Sequence, residues 1–204
     1  MKIPTIRPTR RACGAILAAL TLSAALGAAE AADVLAPKVK FATSEGDFVV
    51  EVYPDKAPKT VENFLQYVKD KHYDGTVFHR VIDNFMVQGG GYDTAYAEKK
   101  TRAPVVHEGR EALARGGAKN VIGTLAMART SDPNSASSQF FINVKDNDFL
   151  NPSTQAPGYT VFGKVASGMD VVNKIKALPT GAGGPFPSDV PRTPVVIKSA
   201  TLVN

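Results

Sequence analysis

The chain has 204 residues, with 24 Lys and Arg against 19 Asp and Glu, 44% hydrophobic residues, one cysteine and no tryptophan. Without residues 1–31 the charge balance is only 20 against 18, and no basic run interleaved with aromatics remains, so composition gives no nucleic-acid surface. Cys13 lies in that same stretch; the remainder therefore holds no disulfide, no thiolate metal site and no cysteine nucleophile.

Lys2, Arg7, Arg10 and Arg11 precede the small, apolar run ACGAILAALTLSAALGAA, and Ala29-Glu30-Ala31 supplies a small-x-small cleavage site. That order predicts a cleaved signal peptide over 1–31 and export of the remaining chain. Arg10-Arg11 matches the start of a twin-arginine signal, but Ala12 and Cys13 depart from the rest, so the general secretory route is expected. The apolar run is short for a span and no other follows, so the mature chain is not expected to enter a membrane. Residues 32–37, ADVLAP, read as a tether, and 38–204 as one domain large enough for a full core. Nothing in the chain argues for an oligomer, and a monomer is expected.

VKFATSEGDFVVEVY reads as a hairpin around a Ser-Glu-Gly-Asp turn. In the next segment Val61, Phe64, Leu65 and Val68 recur at helical spacing, with Thr60 as the predicted cap and Gly75 as the stop. Short β-like runs follow: TVFHRVI, FMVQGG, VIGTLAMA, SQFFINV, TVFGKVA and PVVIKSATLV. GMDVVNKIKAL predicts a second helix with Met169, Val172 and Ile175 on one face and Pro179 beyond its end. Many short strands with two helices predict a mainly β fold, a closed or nearly closed antiparallel barrel with the helices over its open ends.

The chain has no G-x-S-x-G elbow, no H-E-x-x-H and no phosphate-binding glycine loop. His72, His79 and His107 are scattered, so neither a metal nor a cofactor is expected, and Gly89-Gly90-Gly91 reads as a tight turn after a strand. What remains is one fixed cation among apolar aromatics: Arg80, Phe85, Met86 and Gln88, then Gln139, Phe140 and Phe141, then Phe149 and Leu150. Strand alternation points Gln139 and Phe141 one way and Phe140 the other. One face could line a groove while the other fills the barrel; by composition alone, all the phenylalanines could equally be core.

FHRVIDNFMVQGGG, GTLAMART, SASSQFFINVKDNDFLN and GYTVFGKVASGMDVVNKI, in register from about Val39 to Val203, strongly resemble the cyclophilins, above all the exported bacterial type of the Gram-negative periplasm, so a periplasmic destination is expected, with secretion beyond the cell as the alternative. The resemblance implies an eight-stranded antiparallel barrel capped by two helices. It also implies peptidyl-prolyl cis-trans isomerisation on unfolded or partly folded polypeptides containing proline. Arg80 matches the catalytic arginine with His79 beside it. Phe85, Met86, Phe141 and Leu150 match the pocket for the proline ring. Gln88 and Gln139 match groups that bind substrate and hold the arginine, and Ala128, Arg129 and Thr130 the segment met by the residues before proline. Phe149 and Tyr159 stand where many eukaryotic members carry Trp and His, and the loop NPSTQAPG between them is longer. The Trp position is one the family uses to hold cyclosporin, so weak binding of that drug is expected. A proline-binding chaperone or assembly factor with little turnover is the alternative reading.

Overall fold

The computed structural model describes Met1 and residues 36–203; residues 2–31 of the predicted signal peptide and 32–35 of the tether lie outside the described residues. The described elements are strands β1 (Lys38–Thr43) and β2 (Gly46–Val52), helix α1 (Pro58–Lys69), strands β3 (Thr76–Val77), β4 (Arg80–Ile82) and β5 (Met86–Gly89), and helix α2 (Gly109–Ala114). They continue with β6 (Thr124–Met127), β7 (Phe140–Asn143), β8 (Val161–Ser167), helix α3 (Met169–Lys176), β9 (Thr180–Gly183), β10 (Phe186–Pro191) and β11 (Val196–Val203).

Nine strands form one antiparallel sheet in the order β3-β11-β1-β2-β8-β6-β7-β5-β4. Its two edges, β3 and β4, are consecutive pieces of the predicted run TVFHRVI, separated only by Phe78 and His79. The chain thus steps directly from one edge of the sheet to the other, which curls the sheet into a barrel and leaves little open edge. Counted as one interrupted strand, β3 and β4 bring the total to the expected eight.

Alternation along the strands fills the interior. Val39 and Phe41 of β1 and Phe48, Val50 and Val52 of β2 are buried, and the cross-strand partners Phe41 and Phe48 stack with ring centroids 5.1 Å apart. Phe64 of α1 enters the same cluster beside Phe41, Phe140 and Phe162. Val172 and Ile175 of α3 complete it.

Three differences from the predicted elements have identifiable causes. Helix α1 starts before Thr60, with Pro58 in its first turn where a missing N–H costs nothing. Thr60 is therefore no cap. The distant Glu108 does that work: its carboxylate accepts the Thr60 N–H at 2.8 Å, the Thr60 hydroxyl at 2.7 Å and the Lys59 N–H at 3.2 Å. The helix ends at Lys69 rather than at Gly75, since Lys71 already lies in the left-handed region at φ 53°.

The second difference is a third helix, α2, whose six residues GREALA are too short and polar to show a helical period. The third is the β9–β10 hairpin, whose glycines and prolines carry the composition of a loop.

Candidate active site

The face of the sheet that does not fill the barrel carries a second apolar cluster. Arg80 pairs with Gln88, Gln88 with Phe141, and Phe141 with Ala126, so one row crosses β4, β5, β7 and β6. Their sequence neighbours Val81, Val87, Phe140 and Leu125 point inward to the barrel core. Met86, Ala126, Phe141, Leu150 and Val161 form the outer cluster, with Phe85 and Tyr159 packed against it. Adjacent phenylalanines thus serve two different cores: Phe140 is fully buried in the barrel, while Phe141 floors a cavity.

That cavity has a volume of about 290 Å³ and brings together most of the residues singled out from sequence: His79, Arg80, Phe85, Met86, Gln88, Ala128, Arg129, Gln139, Phe141, Leu150 and Tyr159. Thr130 lies outside it, in an adjoining groove of about 180 Å³ that also contains Glu98, Ser135 and Ser137. Phe149 is not a lining residue either. Its side chain is 73% exposed and stacks on Phe85 from outside, with centroids 5.6 Å apart.

Arg80 is exposed at the cavity mouth, with Cζ 5.9 Å from the Phe85 ring centroid. Among the described residues no carboxylate pairs with it, and its guanidinium donates no hydrogen bond to protein. Gln88 and Gln139 differ from the implied role in one respect: neither hydrogen-bonds to Arg80. They bond to each other, Gln88 Nε2 donating to Gln139 Oε1 at 3.0 Å, and Gln88 is tied to Arg80 only through the strand register. The glycine run explains their placement: a Cβ on Gly91 would sit 2.5 Å from Gln139 Cγ.

The far wall is built by Arg129, which donates from Nε and Nη2 to the Gly158 carbonyl at 3.1 and 2.7 Å. Its guanidinium lies 4.5 Å over the Tyr159 ring, which meets Phe141 edge-on. Its Nη1 donates to the Thr130 carbonyl at 2.7 Å, so the Arg129 guanidinium is engaged by its own segment and by the 150s loop, whereas that of Arg80 faces the open cavity.

Sequence reasoning missed two kinds of residue. Asn120, Asn143 and Asn147 are buried and linked: Asn147 donates to Asn143 Oδ1 at 2.7 Å, and Asn143 to Asn120 Oδ1 at 3.2 Å. The same network grips the pocket walls, with Asn147 Nδ2 donating to the Phe85 carbonyl at 2.9 Å and Asn120 Nδ2 to that of Leu150 at 3.2 Å. Buried amides so engaged fix the apolar walls by direction as well as packing. Tyr92 and Phe186 were also missed, and both line the cavity beside His79.

His79 is buried, its Nδ1 has no partner, and burial, reinforced by the adjacent Arg80 charge, pushes its pKa down to about 4. It is neutral at neutral pH and is no proton donor to the cavity there. Because the folded pKa lies below the ordinary 6.5, the unfolded chain takes up the proton first as pH falls. Stability should therefore decline from about pH 6.5 to about pH 4 and then lose its dependence on this group. Urea titrations of wild type and His79→Gln check this: the variant should lose less stability over that window, and equal losses would refute the assignment.

Among the described residues, no three His, Cys, Asp or Glu side chains group as metal ligands, and no helix is long and apolar enough to cross a membrane. Residues 38–202 match the family model for cyclophilin type peptidyl-prolyl cis-trans isomerase/CLD. Peptidyl-prolyl cis-trans isomerase B of Escherichia coli is 51% identical over 167 residues, covering 80% of this chain and 98% of the relative. Peptidyl-prolyl cis-trans isomerase A of Dickeya dadantii is 43% identical over 195 residues, covering 96% of this chain and 98% of the relative. A Cryptosporidium parvum cyclophilin type isomerase, solved in the presence of the dipeptide Ala-Pro, superposes with a TM-score of 0.65 at 26% identity over 82% of this chain and 99% of that one. Fold, barrel topology and sequence agree, and the chain belongs to the cyclophilin-type peptidyl-prolyl cis-trans isomerases.

Proposed function

We propose that the cavity around Arg80 is the isomerase site, that its substrates are proline-containing segments of unfolded or partly folded polypeptides, and that Arg80 supplies the hydrogen bond made only to the twisted bond. One observation carries this reading: a guanidinium with no hydrogen-bond or ion-pair partner among the described residues stands at the mouth of a cavity of about 290 Å³ walled by Phe85, Met86, Phe141 and Leu150.

Cis and trans X-Pro bonds differ by only about 0.5–1 kcal/mol, yet interconvert over tens to hundreds of seconds because rotation breaks amide conjugation. In the twisted state the nitrogen lone pair is no longer shared with the carbonyl, so the imide nitrogen becomes pyramidal and basic. A donor placed there bonds the transition state and not the planar ground state, which is the condition for lowering a barrier. Arg80 supplies such a donor, charged at every working pH and held in a rigid fork.

Shortening tens of seconds to milliseconds needs about 10⁴-fold, roughly 5.5 kcal/mol. A charge-assisted hydrogen bond supplies about 1.5–3 kcal/mol of this. The apolar walls supply the remainder in this reading. Phe85, Met86, Phe141 and Leu150 hold the ring while the preceding carbonyl swings, Gln88 and Ala128–Thr130 hold the chain before it, and the dry cavity disfavours the more polar planar amide. No covalent intermediate is required.

Cis/trans exchange in an Ala-Pro peptide, followed by NMR with and without the protein, tests the reading. Acceleration supports it; tight binding without acceleration supports a proline-segment holder instead. The exposed position of Phe149 outside the cavity supports weak cyclosporin binding, which calorimetry checks: a nanomolar complex would contradict it.

The basic, apolar and small-residue start supports export, and with it a role in folding proteins of the periplasm. Fractionation and N-terminal sequencing are expected to find a periplasmic chain beginning near Ala32. A cytoplasmic chain beginning at Met1 would overturn this part of the proposal.

A further inference from the structure

The β9–β10 hairpin packs against β4, the strand that carries Arg80. Its tip turns at Gly184, left-handed at φ 50°, where a Cβ would sit 2.5 Å from Tyr96 Cβ, so the tip is seated tightly on the segment that follows the glycine run. Val190 is buried and anchors the second strand. The result is to bring Phe186 to the cavity, 5.3 Å from the His79 ring and edge-on to Tyr92 at 5.0 Å. His79 and Tyr92 are themselves 4.7 Å apart.

These three rings form a continuous aromatic wall in the same cavity as Arg80, on the opposite side of the groove from Ala128 and Arg129. The sheet order sets that opposition: β6, which leads into Ala128, lies three strands from β4. A peptide whose residues before proline run along Ala128–Thr130, with its ring among Phe85, Met86, Phe141 and Leu150, leaves the groove past Arg80. The chain after the proline then meets the aromatic wall. His79 is neutral there, so the wall offers no charge of its own.

We infer that Phe186, with Tyr92 and His79, is a specificity surface for the residue that follows proline, favouring an apolar and above all an aromatic side chain at that position. This rests on the assignment of the cavity as the isomerase site. A flat ring laid against such a wall gains edge-to-face and stacking contact beyond simple burial, whereas a lysine side chain would lose hydration beside Arg80.

The test uses Ala-Ala-Pro-X peptides with X as Phe, Leu, Ala, Glu or Lys, and NMR exchange to obtain kcat/KM for wild type, Phe186→Ala and Phe186→Lys, with thermal melts to confirm folding. Wild type should favour Phe over Ala by about 5-fold and disfavour Lys. In Phe186→Ala that ratio should fall towards one, through KM more than kcat. In Phe186→Lys, X as Glu should become the better substrate. A Phe:Ala ratio unchanged in both variants, or an equal loss on every peptide, would overturn the inference, the second outcome showing that the hairpin only supports β4. Should a variant fail to fold, Tyr92→Leu supplies the same comparison from the other ring. Failure of the underlying site assignment would look different: Arg80→Ala would then retain full activity on every peptide.

Discussion

Replacing Arg80 with Ala should lower kcat/KM for prolyl exchange by about 10²-fold while leaving peptide affinity within a few-fold of wild type. The size follows from a charge-assisted hydrogen bond formed only in the twisted state, about 1.5–3 kcal/mol, and the split follows from its absence in the ground state. The structure makes this variant unusually clean. Arg80 is exposed, and its removal breaks no hydrogen bond or ion pair among the described residues and loses its approach to Phe85. Fold and thermal midpoint should stay near wild type. Arg80→Lys should recover only part of the rate, since an ammonium keeps the charge but loses the planar fork. Loss of rate and affinity together, in a folded variant, would mean that Arg80 serves ground-state binding.

Two adjacent phenylalanines should separate stability from activity. Phe140 lies edge-on to Phe64, Tyr73 and Phe78 and is wholly buried in the barrel. Truncation to Ala there should cost about 3–5 kcal/mol, in the range of large-to-small core changes. Phe141 faces the other way, meets Tyr159 edge-on and floors the cavity. Phe141→Ala should cost less stability, because its ring borders the cavity instead of filling the closed barrel core, and should cost turnover by leaving the proline ring unheld. Urea denaturation and NMR exchange on both variants measure the contrast. A Phe140→Ala protein as stable as wild type, or a Phe141→Ala protein at full rate, would refute the division.

That division could be anticipated from sequence, because strand alternation is a local property: in SQFFINV, Gln139 and Phe141 had to share a face and Phe140 had to oppose them. The hairpin of β1 and β2 and helix α3 were legible for the same reason, each written in a pattern of two or of about 3.6 within one segment. The matching of whole motifs to a known family then placed Arg80, Met86 and Leu150 in one site. Alternation alone left open whether the phenylalanines were all core.

Other features have no local signature. Glu108 caps α1 from 48 residues away, and nothing near either position in the chain announces it. Asn120, Asn143 and Asn147 read as loop and strand-end residues until folding stacks them behind Phe85 and Leu150. Gln88 and Gln139 could be assigned to the site, but that they bond each other, leaving Arg80 free, depends on the register of β5 against β7 and on the space left by Gly91.

The amino-acid sequence by itself determined the barrel class, the family, the two faces of the central strands and the pairing of a fixed cation with an apolar patch, since periodicity and motif survive without any knowledge of contacts. Tertiary structure alone decided how the barrel closes, which groups hold the site's walls, and that a glycine- and proline-rich hairpin delivers Phe186 beside Arg80. The physical reason is that these depend on contacts between residues far apart in the chain, and such contacts exist only once the sheet has curled back to bring its two edges together.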